Sequence, residues 1–416
     1  MELERLADEV EEEMQPWYRA IERRALGTHR RVLAAFRACG VSETHLRGST
    51  GYGYGDPARE VLERVFARVF DAEAALVRGQ IVSGTHALAL CLFGILRAGD
   101  ELLSVQGPPY DTLAPVIGWP RETPGSLRSL GVTYREVALR PDGTVDERAL
   151  REALSRRTRA VLLTRSCGYR WRPALTVDDV ARLVAIVKER RPDAVVVVDN
   201  CYGEFVEAVE PPAVGADLVA GSLIKNPGGG IAPTGGYVAG RKEYVELASY
   251  RLTAPGLGGS VGPTLDWPRL FFQGFFMAPH VVAEALKGAV FTARLFERLG
   301  FEVLPRHDQP RGDIVQAVRL GRAEYLEAFC RGLQSASPVD SRARPEPGPL
   351  PGYEDPVLMA AGTFVQGASL ELTADAPFRE PYVVYVQGGL SKEYVRLGVL
   401  AAARAVLAAQ QSPAGR

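Results

Sequence analysis

Short apolar runs punctuate the middle of the chain at Ala74–Val77, Glu101–Val105, Ala160–Thr164, Ala194–Val198, Leu218–Ala220 and Gly236–Ala239. Between several of them the apolar positions change to a helical period. In Val177–Arg190, for example, Val180, Leu183, Val184 and Val187 fall on one face. Buried strands that alternate with helices predict an α/β fold around a mostly parallel sheet. Residues 3–38 read as helical, with Leu3, Leu6, Val10, Trp17, Ile21, Leu33 and Phe36 on apolar faces. Gly48–Pro57 has glycine at every second position from Gly51 to Gly55 and reads as a loop. Asp56 and Pro57 then read as N-cap and first residue of a helix through Phe70. A helix over 278–300 leads to a second set of strand candidates, Phe301–Leu304, Ile314–Val318, Ser369–Thr373 and Val383–Gln387. Residues 341–352 read as a loop and Val395–Ala409 as a closing helix. The pattern divides the chain into a helical arm (1–48), a large α/β domain (49–277) and a smaller α+β domain (278–416).

The 416 residues suit more than one core, and 46% hydrophobic with 24% charged residues is ordinary for a soluble protein. A net charge of −1, with Lys and Arg scattered, argues against nucleic acid or an anionic membrane as partner. No apolar run reaches the ~18 residues of a spanning helix, and the charged start Met1–Arg5 lacks a signal-peptide core. The five cysteines are odd in number and widely spaced, which suits reduced thiols and a cytoplasmic location. The five histidines show no metal-ligand spacing, so no metal site is expected.

Chemistry concentrates at three places. Asp199 ends the valine run 195–198, where a carboxylate faces a desolvation cost unless it meets a partner. Lys225 follows the next apolar run, between Ser222 and Asn226-Pro227-Gly228-Gly229-Gly230, where backbone can approach a ligand closely. The separation 225 − 199 = 26 fits one further strand between them. Both residues then fall on the carboxyl edge of the sheet, where ligands gather in such folds. Upstream, Ser83-Gly84-Thr85 opens an apolar helix whose free N–H groups suit a phosphate, and Ser222 supplies another hydroxyl. An amine, a carboxylate and a phosphate cradle are what pyridoxal 5′-phosphate (PLP) requires: a Schiff base to the lysine, a counter-charge for the ring nitrogen, and an anion site. Singly, each has a plainer reading, as a surface lysine, a turn aspartate and an ordinary Ser N-cap. His86 reads as helix packing, and Cys201 as a small buried filler.

The stretches Gln80–Ala87, Pro109-Tyr110-Asp111-Thr112-Leu113, Ser222–Gly230 and Tyr385–Leu390, with Asp199-Asn200-Cys201-Tyr202, resemble a fold type I PLP enzyme. More closely, the chain resembles the methionine γ-lyase-like branch that includes the aluminium resistance proteins. The resemblance implies the aspartate aminotransferase-like PLP-transferase fold, with a seven-stranded large-domain sheet. It implies that Tyr110 stacks on the cofactor ring and protonates a leaving thiol, with Tyr202 near the ring. Tyr52 and Tyr54 would reach a partner's phosphate, in a homodimer with shared sites whose pairing into tetramers stays open. No arginine stands between these tyrosines, a departure from the branch. The substrate carboxylate calls for an arginine fork. Arg379 is preferred, with Arg396 and Arg165 as the other candidates. Arg165 stands near where the branch carries an asparagine motif, a second departure.

The expected activity is elimination of a sulfur-bearing side-chain group from an amino acid such as methionine, cystathionine or a cysteine derivative, giving a 2-oxo acid, ammonia and a thiol. Lys225 would move the Cα proton and Asp199 would keep the ring an electron sink. An aminotransferase would use the same three elements. A non-catalytic nucleotide-binding protein would use Gly228–Gly230 on a phosphate, but a Walker loop places its lysine after the glycines, and here Lys225 precedes them.

Overall fold

The computed structural model describes residues 2–411. Seven strands form the first sheet: β1 (Ala74–Arg78), β2 (Glu101–Ser104), β3 (Thr133–Glu136), β4 (Thr158–Thr164), β5 (Val195–Asp199), β6 (Leu218–Ser222) and β7 (Gly236–Gly240). Their order is β1-β7-β6-β5-β4-β2-β3. The five strands from β3 to β6 are parallel, and β7 runs antiparallel to both β6 and β1.

The valine run shows why the central strands read as unbroken apolar stretches. Val196 and Val198 enter one core, together with Val161, Leu163 and Val219. Val195 and Val197 enter the core on the opposite face, with Ala160, Leu162 and Leu218. Successive side chains alternate between faces, so a sheet covered on both sides needs an apolar residue at every position. Helices Gly84–Ile95 and Lys242–Leu252 cover one face, and Pro57–Val69 and Val177–Arg190 the other. The Asp56 side chain caps the third of these helices by accepting from the Arg59 N–H at 3.0 Å.

Five antiparallel strands form the second sheet: β8 (Glu302–Leu304), β9 (Val315–Arg319), β10 (Val357–Ala360), β11 (Thr373–Pro377) and β12 (Val383–Gln387), in the order β10-β11-β12-β9-β8. The helix leading to it spans Pro268–Arg298, ten residues longer at its start than the pattern predicts. Pro268 holds the tolerated first position, whereas Pro279 sits inside the helix at the cost of one backbone bond. The predicted strand over Ser369–Thr373 is instead a 3-10 turn at Ser369–Glu371, and β11 begins only at Thr373. β3 and β10 were not predicted: β3 is a half-exposed edge strand, Thr-Tyr-Arg-Glu, with no buried residue to set a period. Helices Glu2–Glu13 and Gln15–Ala38 lie against the long helix and the last helix, Lys392–Gln411, tied by Glu13 to Arg294 at 2.7 Å and Glu22 to Lys287 at 3.2 Å.

Candidate active site

Parallel neighbours place the ends of β4, β5 and β6 on one edge. Asp199, the last residue of β5, is buried there, and its Oδ1 accepts from the Cys201 N–H at 3.1 Å. Lys225 stands just past β6, at the entry to a 3-10 turn, Asn226–Gly228. The glycines that follow serve close packing. A Cβ at Gly228 would lie 1.7 Å from the Leu223 carbonyl oxygen, and one at Gly229 would lie 2.3 Å from that of Gly274 in the long helix. That use of the glycines is spent within the protein, which weighs against a nucleotide loop.

The Lys225 Nζ lies 4.0 Å from the centre of the Tyr202 ring. Tyr202 is left-handed (φ 70°), rare for a residue with a side chain. It is held there from both ends: its carbonyl accepts from the Ile314 N–H at 3.2 Å and its hydroxyl from Ser369 Oγ at 3.3 Å. Burial drives the Asp199 carboxyl up, and the Lys225 ammonium opposes that. For Lys225, burial pulls the amine down, but the acidic groups around it, Cys201, Tyr202 and Asp199, push it up, to a net value well above the ordinary one. Burial keeps the Cys201 thiol and the Tyr202 hydroxyl protonated, so Asp199 is the counter-ion that counts.

At the other end of the cavity, Ser83 caps helix Gly84–Ile95, its Oγ accepting from the His86 N–H at 3.0 Å. A Cβ on Gly84 would come 2.9 Å from Cys201 Sγ and 3.8 Å from the Cβ of Ser222, so only glycine lets the helix start close on the β5 and β6 ends. Thr85 Oγ1 bonds to the Tyr110 hydroxyl at 3.3 Å and to Thr112 Oγ1 at 2.9 Å. Ser222 Oγ accepts from the Ile224 N–H at 3.3 Å. Burial, with Asp199 adding to it, raises the Tyr110 hydroxyl well above its ordinary range, so it remains a proton donor. Ser83, Gly84, Thr85, Tyr110, Asp199, Tyr202, Ser222 and Lys225 all line one cavity of about 300 Å³. The small sheet closes it with Met359, Thr373 and Asp375.

The other sequence candidates separate. Tyr52 and Tyr54 are 73% and 68% exposed, with ring centres 5.4 Å apart and tilted by 31°, and lie outside the cavity. Arg165 is not brought to the cavity: its guanidinium is buried on Glu207 at 2.6 Å, Asn200 Oδ1 at 2.8 Å and the Gly203 carbonyl at 3.0 Å. That removes it from the substrate-binding set, because its fork is already filled by the protein. Arg396 is likewise removed, since it lies on the last helix, paired with Asp8. Arg379 borders an adjoining cleft of about 350 Å³ that shares Tyr110, Asp111, Ser166 and Tyr169 with the cavity; there it pairs with Asp355 at 2.6 Å. Sequence reasoning missed Arg170 and Arg172, which border the same cleft and form no ion pair among the described residues. It also missed Tyr169, Tyr353, Thr373 and Asp375. The run Tyr169-Arg170-Trp171-Arg172 just past β4 is the signal that could have found the first three of these six.

The sequence profile of the methionine gamma-lyase family matches residues 3–407. An uncharacterized protein of Bacillus subtilis (strain 168) is 48% identical over 409 residues, 98% of this chain and 97% of that one. The L-methionine gamma-lyase of Treponema denticola is 26% identical over 217 residues, 51% of this chain and 49% of that enzyme. Among solved structures, a carbon-sulfur lyase involved in aluminium resistance from Clostridium novyi NT superposes with a TM-score of 0.93 at 46% identity, covering 97% of this chain and 95% of that one. A pyridoxal-5′-phosphate-dependent protein of Escherichia coli, at 18% identity, shares the fold with a TM-score of 0.62 over 94% of this chain and 96% of that one. With the lysine, the aspartate and the helix start meeting at one cavity, the chain belongs to the methionine gamma-lyase family of fold type I PLP enzymes.

Proposed function

We propose that the protein binds PLP at Lys225 and cleaves a carbon–sulfur bond in an amino acid, releasing a thiol, ammonia and a 2-oxo acid. The observation that carries this is the convergence of Lys225, Asp199 and the Ser83–Thr85 helix start on one cavity. The residues suit the cofactor: Gly84 leaves open a cradle that a Cβ would fill, and the buried Asp199 carboxyl needs a cationic partner. When bound, PLP supplies an electron sink conjugated to the substrate Cα.

The chain's own residues do the rest. Ser83, Thr85 and Ser222 hydroxyls and the first N–H groups of the helix hold the phosphate. Asp199 keeps a proton on the ring nitrogen. The Lys225 amine holds the aldehyde and, once released, takes the Cα proton and returns it elsewhere. The Tyr110 hydroxyl, kept neutral by burial, hands its proton to the departing sulfur. Arg379 receives the substrate carboxylate from the adjoining cleft by exchanging it for Asp355. Tyr52 and Tyr54 complete a neighbouring copy's phosphate site in a dimer, which explains two exposed aromatic rings on a loop docked against Gly262.

The test is twofold. PLP-loaded protein is fixed by borohydride and mapped by mass spectrometry, with the adduct expected on Lys225 alone. The same protein is then offered methionine, cystathionine and cysteine derivatives, with release of thiol and 2-oxo acid as the readout. An adduct elsewhere, or transfer of the amino group to a 2-oxo acid without thiol release, would refute the reading.

A further inference from the structure

Strand β11 brings two polar groups to the cavity that the scheme above leaves unused. Thr373 and Asp375 are two residues apart, so the pleat points both to the same face, and both line the cavity. They are 3% and 6% exposed. Asp375 Oδ2 accepts from the Tyr169 hydroxyl at 2.9 Å and from the Gln387 amide, which fixes the carboxylate in place. Its other oxygen, Oδ1, and the Thr373 Oγ1 have no hydrogen-bond partner among the described residues. A buried acceptor left unpaired costs about 1–3 kcal/mol, and more when charged. Two such atoms on one face of one strand mark a place where a ligand donates hydrogen bonds.

The surroundings define that donor. Tyr169 and Tyr353 line the same cavity with ring centres 5.6 Å apart, presenting aromatic surface beside the carboxylate. Met359, directly across from Asp375 on β10, adds an apolar, polarizable wall. A carboxylate with tyrosine rings and no adjacent guanidinium selects a cation over an anion. Burial raises the Asp375 carboxyl, the Tyr169 and Gln387 hydrogen bonds and the Lys225 ammonium oppose that, and a further cation bound at Oδ1 would hold it charged.

We infer that Asp375 Oδ1 and Thr373 Oγ1, backed by Tyr169 and Tyr353, form a subsite for a positively charged amino group carried by the substrate beyond its sulfur atom. Asp375 is thus a specificity-determining residue, and the favoured substrates are thioether amino acids whose leaving thiol bears a distal ammonium. The inference rests on the lyase reading for its catalytic arm and on geometry alone for its binding arm.

The test compares S-(2-aminoethyl)cysteine with S-propylcysteine, which differ only in a terminal ammonium against a methyl group, together with the homocysteine homologues of both. In the PLP-loaded protein the aminoethyl member is expected to have a kcat/KM at least about tenfold higher. Asp375→Asn should abolish that ratio by slowing the aminoethyl member while sparing the propyl member. In parallel, calorimetry on the borohydride-fixed protein, whose cofactor aldehyde is blocked, uses the two α-deamino analogues, 3-(2-aminoethylsulfanyl)propanoate and 3-(propylsulfanyl)propanoate. The aminoethyl compound should bind at least about tenfold more tightly, and the difference should vanish in Asp375→Asn. Equal handling of the pair by the native protein, or an equal loss of both members in Asp375→Asn, overturns the subsite. If neither series is cleaved, the lyase reading fails while the calorimetry still decides the subsite. If Asp375→Asn does not fold, the native ratio and Thr373→Val, which should reduce that ratio, decide it instead.

Discussion

The amine of Lys225 sits over the face of the Tyr202 ring, 4.0 Å from its centre, and Tyr202 holds that position from a left-handed backbone. A residue with a Cβ pays for that conformation, and the bonds from Ile314 and Ser369 keep it in place. The ring and the lysine therefore form a unit pinned between the two sheets.

Tyr202→Phe keeps the face and loses only the bond from Ser369, whereas Tyr202→Ala removes the face. Cation–π contacts contribute about 0.5–2 kcal/mol, so Tyr202→Ala should weaken PLP affinity by roughly threefold to thirtyfold. Tyr202→Phe should stay within about threefold of the native value. Spectroscopic titration of the protein with PLP measures both. Equal losses in the two variants would show that the hydroxyl, not the ring, matters.

The three candidate arginines predict three different outcomes. Arg396 pairs with Asp8 near the surface, so Arg396→Ala should change stability by about 0–1 kcal/mol and leave kinetics unchanged. Arg165→Met would leave Glu207 without its ion-pair partner and the buried Glu210 with Arg31 alone, and should cost about 3–5 kcal/mol of stability. Arg379→Ala should raise KM about tenfold or more with little effect on folding, because only its partly exposed pair with Asp355 and a long bond to the Tyr169 carbonyl are lost. Denaturant melts and steady-state kinetics on the same three proteins separate these outcomes. A normal KM in Arg379→Ala would move the carboxylate to Arg170 or Arg172.

What the sequence made legible follows from how each residue is set. Asp199 and Lys225 follow short apolar runs that read as buried strands of a mostly parallel sheet, so their place on the sheet edge was legible in the sequence. Gly84 and Ser83 announced a helix start in the same way. Arg165 misled because its position after β4 is right for a ligand, while its partner Glu207 lies 42 residues away and no local pattern joins them. Asp375 and Thr373 were invisible for a related reason. The 3-10 turn at Ser369–Glu371 and the left-handed Leu372 (φ 96°) shift the start of β11, and with it the face each residue takes.

Behind the sheet edge, Glu204 gives a pH signature. It is buried, and burial pushes its carboxyl up to about 8, with the Tyr237 hydroxyl donating to Oε1 at 2.8 Å. In the unfolded chain the same group titrates near 4.3. Between those values the folded protein holds a proton that the unfolded chain has released. This contribution to stability is therefore fully present below about pH 4.3 and is lost as the pH rises through about 8. Glu204→Gln, which cannot ionise, should flatten the decline in melting temperature across that window. An unchanged slope in Glu204→Gln would assign the dependence to another group.

The contact between Gly84 and Cys201 allows the cradle itself to be tested. A methyl group at position 84 would meet Cys201 Sγ at 2.9 Å, closer than such atoms approach without displacement. Gly84→Ala should therefore push the helix start away from the β5 edge and weaken PLP binding by about tenfold or more, since anion binding at a helix start depends on close approach of its N–H groups. Cys201 lies beside Asp199 as a neutral thiol, and Cys201→Ala alone should be nearly silent on PLP affinity. Combined with Gly84→Ala, it removes the sulfur that the new methyl group strikes, so the double variant should recover most of the lost affinity. That recovery is a positive coupling in a double-mutant cycle between residues in contact. Additive losses would mean that Gly84 is needed for backbone conformation and not for the space its missing side chain leaves.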